Sequence, residues 1–202
     1  LAVKRYQHER FRRSYADLLA RSDLRAAAVF FLEELYGPHD FSARDAQFGR
    51  IVPALVRLFP AEIVGTVRQL SELHALSERL DHAMAERLGE DTIEVEGYRR
   101  LWQATGEPPA RQAQIDLMLA VGRGLVRYTR NPMLRAALRM MRGPAELAGL
   151  AALQQFLERG FDTFRGMAEP QRFLQTIADR EEAIARWLFA EPAAVPVPPG
   201  FD

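Results

Sequence analysis

PAEIVGTVRQLSELHALSERLDHAMAERL, Pro60 to Leu88, is the stretch whose reading decides the fold. Apolar side chains recur through it at helical spacing, and no proline follows the first residue. Pro60 suits a first helical turn, where its missing N–H has no intrahelical partner to lose, and Gly89 stands where a left-handed C-terminal cap belongs. The spacing predicts one helix over about 60–88, roughly 40 Å long at about 1.5 Å per residue. At 100° per residue Ile63, Val67, Leu70, Leu73, Leu76, Leu80, Met84 and Leu88 fall on one arc, with Arg68, Glu72, Arg79 and Glu86 opposite. This reads as a long central helix packed on its neighbours.

The same periodicity extends outward in both directions. Residues 2–20 read as one amphipathic helix, with Val3, Phe11, Tyr15, Leu18 and Leu19 on one side and Lys4, Arg5, Arg10, Arg12 and Arg13 around the rest, a solvated helix docked on the surface. Leu24 to Tyr36 follows, stopped by Gly37-Pro38, and a helix from Ala43 to Phe59 is expected to kink near Gly49 because of Pro53. Beyond the long helix come Ile93 to Thr105, Pro109 to about Arg130, Met133 to Arg142, Ala145 to Met167, and a last helix from Glu169 or Pro170 to Phe189. No alternating strand pattern occurs. The expectation is an all-α, single-domain bundle of about eight or nine helices over 1–190, with a Pro-rich, disordered tail over 191–202.

The 202 residues, 48% of them hydrophobic, can bury one sizeable core. Formal charge is zero, from 27 basic and 27 acidic residues, so there is no overall pull toward nucleic acid or anionic membrane. The absence of cysteine removes disulfides, thiolate catalysis and Cys-ligated metal sites. Ala26 to Leu32, the longest apolar run, is far short of the roughly 20 residues of a membrane helix, and the N-terminal stretch lacks a secretory pattern. The cytoplasm is the expected compartment. Because Leu1 stands in place of an initiator Met, a preceding segment remains open.

Motif chemistry is sparse. No Walker pattern, GxGxxG after a strand, HExxH or Glu-x-x-His pair occurs, so neither a phosphate cradle nor a metal site is expected. His74, Ser77 and Asp81 project into the apolar arc of the long helix, where buried polar groups need partners: one another, a neighbouring helix or a ligand. Their types match a hydrolase triad, but they lie on one helix without a nucleophile elbow or oxyanion hole. Gly122 and Gly124 sit inside a helix, where they permit close approach of another helix or a ligand. Arg123, Arg127 and Arg130 form a stripe that Arg135, Arg139 and Arg142 extend. From Pro108 to Gly143 seven arginines face one acid, Asp116, a net of +6; Ala61 to Glu107 carries five arginines and ten acids, a net of −5. Such a polarity is a solvated face, or it docks an acidic protein, an anionic ligand or a second copy; nucleic acid is disfavoured without interleaved aromatics.

FFLEELYGPHDFSARDAQFGRIVPALVRLFP, Phe30 to Pro60, resembles a stretch of uncharacterised bacterial all-helical proteins, a domain of unknown function. The resemblance implies a helical fold and no particular activity. The leading expectation is therefore a non-enzymatic, homo-oligomeric helical binding or regulatory protein that works through protein–protein contacts and needs no cofactor. The alternative is a helical ligand-binding domain, globin-like in helix count, holding haem or another small molecule beside His74. A hydrolase using Ser77 is the third.

Overall fold

A computed structural model describes residues 2–34, 61–88, 93–191 and 194–201. Among them the chain forms ten helices and no strand: α1 (Ala2–Ser14), α2 (Ala16–Ala20), α3 (Arg25–Glu34), α4 (Ala61–Arg87), α5 (Val95–Thr105), α6 (Pro108–Tyr128), α7 (Pro132–Met140), α8 (Arg142–Leu147), α9 (Ala151–Arg165) and α10 (Pro170–Phe189). This is an all-α single-domain fold. The expected helix over 43–59, its kink at Pro53, and most of the Phe30–Pro60 stretch lie outside the described residues.

Where the chain starts and stops its helices follows local chemistry. Pro108, Pro132 and Pro170 each occupy a first helical turn. Asn131 caps α7: its Oδ1 accepts from the Met133 N–H at 3.0 Å. The expected helix over 145–167 is in fact two, α8 and α9, because Gly149 takes a left-handed φ of 70°. Its N–H reaches the Glu146 carbonyl, and that of Leu150 the Ala145 carbonyl, a Schellman closure of α8. Likewise 2–20 is divided at Tyr15, whose side chain turns wholly inside.

α4 has the length and bounds that its sequence predicts, but it is not the most buried helix. Only Leu80 and Met84 on its arc are fully buried; Ile63, Val67, Leu70, Leu73 and Leu76 are half-buried. The middle of the molecule belongs to α6, which runs antiparallel to α4 and packs on α4, α9 and α10. Two glycines make that possible. A Cβ on Gly122 would fall 2.5 Å from Leu174 Cδ2 of α10, and one on Gly124 would fall 2.8 Å from Thr66 Oγ1 of α4. Both glycines serve helix contact.

The buried side chains form two clusters. The larger gathers Phe11, Tyr15, Phe30, Phe31, Met118, Phe164 and Phe173, among others, from α1, α3, α6, α9 and α10. The smaller joins Val3, Met84, Tyr98, Ile184, Trp187, Leu188 and Phe201. α1 is thus a core element rather than a late-docked surface helix: Val3, Arg10, Phe11 and Ser14 are buried along one side. The described part of the tail packs on the smaller cluster. Residues 194–201 are non-helical, but Phe201 packs 4.8 Å from the Trp187 ring and is buried, because an aromatic ring that reaches an apolar cluster gains about 1.5–3 kcal/mol by leaving water.

Candidate functional site

The polar strip of α4 lies in the seams that this helix makes with α1 and α6. Ser77 Oγ accepts from Gln114 Nε2 of α6 at 2.9 Å, and Asp81 Oδ1 accepts from Gln7 Nε2 of α1 at 2.9 Å. His74 keeps 27% of its side chain exposed, with Nε2 3.9 Å from Glu78 Oε1; Glu78 also pairs with Lys4. The strip is therefore half-buried at helix seams, not inside the core, because α4 presents its edge rather than its centre to the bundle. Among the described residues no hydrogen bond joins His74, Ser77 and Asp81 to one another. Among the described residues Ser77 is bonded to Gln114 and not to an imidazole, so the nucleophile–base contact of a serine hydrolase is not assembled among them. Among the described residues no group of three or more metal-ligating side chains comes together.

Behind the strip is a set of buried polar groups that sequence reading passed over. Arg10 of α1 and Glu181 of α10 form a fork, Nη1 to Oε1 at 2.6 Å and Nη2 to Oε2 at 3.3 Å, with side chains only 6% and 9% exposed. The Tyr15 hydroxyl donates to the same Oε1 at 2.8 Å. The signal was positional. Glu181 continues the arc of Ile177, Ile184 and Leu188, and Arg10 that of Val3, Gln7, Phe11 and Ser14, so each charge stood at a core position.

Arg111, at the start of α6, follows the same pattern on the arc of Ile115, Met118 and Gly122. Its guanidinium lies 3.7 Å over the Trp102 ring, with Nη1 on Gln114 and Nη2 on the Met84 sulfur, and no carboxylate among the described residues within ion-pair distance. Desolvation lowers its pKa and raises that of Asp81, partly offset in each case by the attraction of the other. Burial likewise pushes the neighbouring Tyr98 phenol up to about 12. These shifts share one cause, the exclusion of water from the place where α1, α4, α5 and α6 meet. The arrangement holds helices in register, and it offers a carboxyl, Asp81, that takes up a proton more readily than an exposed one.

The family profile described as Domain of unknown function (DUF8198) matches residues 1–195. The chain belongs to that family. The match runs far beyond the 30–60 stretch whose resemblance is visible by eye. No curated protein and no solved structure matches the chain.

The arginine stripe divides at the other end of the molecule. Arg135 is held by Asp162 of α9, with Nη2 to Oδ1 at 2.8 Å, and Arg142 is held by Glu158 of α9. Arg123, Arg127, Arg130 and Arg139 are exposed, and none of them pairs with a carboxylate among the described residues. The sequence reading also missed a surface on α7. α7 has no fully buried residue, and its outer side carries Met133 at 80% exposure, Ala136, and Met140 at 79%, the i, i+3, i+7 spacing of a helix contact; Leu147 of α8 is 92% exposed. Its inner side, through Leu134 and Leu138, is turned toward α9 and half-buried. A helix apolar on two sides has more contact surface than its own fold covers. Among the described residues no helix is long and apolar enough to cross a membrane.

Proposed function

We propose that this chain is a non-enzymatic helical binding protein that works through protein–protein contacts, self-association among them. The observation that carries this reading is the outer side of α7, where Met133 and Met140 stand in water with the exposed Arg130 and Arg139 close to them in the sequence. Exposed apolar rows rimmed by charge are characteristic of interaction sites, and unbranched methionine suits a surface that must adapt to a partner. The polar strip of α4 fits the same reading, since Ser77 and Asp81 spend their hydrogen bonds on neighbouring helices. Self-association draws support from the separation of charge: +6 over Pro108 to Gly143 and −5 over Ala61 to Glu107 on a chain of zero net charge.

The test is site-specific photo-crosslinking in cells that make the protein natively, with the photoreactive residue at position 140 and, as a control, at exposed position 72. Discrete adducts from position 140 and none from 72 are expected, and an adduct of twice the chain mass identifies self-association. No discrete adduct from position 140 would sink the reading.

A further inference from the structure

We infer that the outer side of α7, together with Leu147 of α8, is the docking face for an acidic amphipathic helix of another protein. This rests on the binding-protein reading above and names the partner's chemistry. The apolar half of the argument is geometric. Met133, Ala136 and Met140 repeat at i, i+3 and i+7, which is how one helix offers a stripe to a second, and the small Ala136 between two long thioethers leaves a notch for a knob from the other side.

The charged half decides among occupants. Arg130 precedes the stripe and Arg139 lies beside Ala136 and Met140 on α7, with Arg123 and Arg127 on the preceding helix; all four are exposed and, among the described residues, none is within ion-pair distance of a carboxylate, although Glu158 attracts Arg139. A second copy docked through the same face would set these arginines against their own counterparts. A second copy docked through its acidic segment, Ala61 to Glu107, would bring the right charge but no apolar complement, because the exposed large apolar side chains of the described surface are Val29, Met133, Met140, Leu147 and Val197, none of them in that segment. Acid and apolar surface together are therefore what a different chain must supply. An anionic bilayer fits less well. Exposed Glu146 stands next to Leu147, where a uniformly negative plane would press on it, while a helix can place its acids opposite the arginines alone.

The probe is a fluorescently labelled amphipathic peptide of about 18 residues, five helical turns, with Leu along one stripe and Glu over the rest, titrated with the whole chain. Saturable binding is expected, falling as NaCl rises. The paired changes Met133→Glu with Met140→Glu should weaken it about tenfold or more, as should Arg130→Glu with Arg139→Glu. Both pairs are exposed, so circular dichroism and melting temperature should stay at the wild-type values. A peptide with the same Leu stripe and Lys in place of Glu should not bind. Equal binding of the two peptides, or acidic binding indifferent to the Met substitutions, overturns the proposal. So does adsorption to phosphatidylcholine–phosphatidylglycerol vesicles, or a concentration-dependent dimer, that the Met substitutions abolish; the first would assign the face to lipid and the second to another copy. Crosslinks from position 140 without peptide binding would overturn this inference and leave the binding-protein reading standing, whereas loss of both would remove both.

Discussion

Replacing Glu181 by Ala removes the acceptor for two Arg10 nitrogens and for the Tyr15 hydroxyl in a place where the side chains of Arg10 and Glu181 are 6% and 9% exposed. The Arg10 guanidinium cannot turn to water without leaving the packed side of α1, so its charge would remain buried against apolar neighbours. Breaking such a pair from one side costs about 3 to 5 kcal/mol. Against a total stability of about 5–15 kcal/mol that is a large fraction, though one that leaves a measurable folded state. With a urea m-value of about 2 kcal/mol per molar, the midpoint should fall by about 2 M. The companion variant, Arg10→Met with Glu181→Leu, removes both charges and replaces them by apolar volume, and should recover most of the loss. Urea unfolding followed by circular dichroism and by tryptophan fluorescence reads both variants. If Glu181→Ala shifts the midpoint by less than about a quarter of that amount, or if the double variant is worse than the single, the pair does not bridge α1 and α10 as described.

Three further outcomes follow from single positions. Burial raises the Asp81 carboxyl above its ordinary value, so in the window between that value and the raised one the folded state binds more protons than the unfolded; the stability cost is absent below the window and full above it. Asp81→Asn keeps an oxygen for Gln7 and removes the titration, so the variant should gain on the wild type as pH rises from about 4 to 7, measured by paired melts; a pH-independent difference would count against the buried carboxyl. Gly122→Ala places a methyl 2.5 Å from Leu174 and should cost about 1 to 3 kcal/mol, while Gly65→Ala meets nothing within 4 Å inside α4 and should gain about 1 kcal/mol. Thermal melts, at about 2 to 4 °C per kcal/mol, should move in opposite directions for the two.

Periodicity and punctuation made most of the helices legible. α4, α6 and α10 begin and end within about a residue or two of where proline, glycine and the apolar arcs place them, because those signals act within a single turn. What was not legible is relational. Nothing local distinguishes α4, a long helix at the edge, from α6, a shorter one in the middle; the difference lies in Gly122 and Gly124, whose missing side chains matter only once Leu174 and Thr66 arrive opposite them. Arg10 looked like one more surface charge among five on its helix, since the carboxylate that draws it inward stands on the far side of the sequence. The same holds for Phe201, which a Pro-rich setting made look like solvent-borne tail. The α7 stripe was within reach, as Met133, Ala136 and Met140 are spaced for contact, but periodicity reports that a side is apolar and does not say whether the fold covers it.

The bond between Arg10 and Glu181 spans 171 residues. At a synthesis rate of about 5–20 residues per second, the first helix waits about 10 to 30 seconds for the carboxylate that lets it settle. Until then its inner side carries Arg10 amid Val3 and Phe11 without that carboxylate. A chain that stops short of α10 has no Glu181, so the fork that ties the first helix to the last depends on nearly the whole length of the chain.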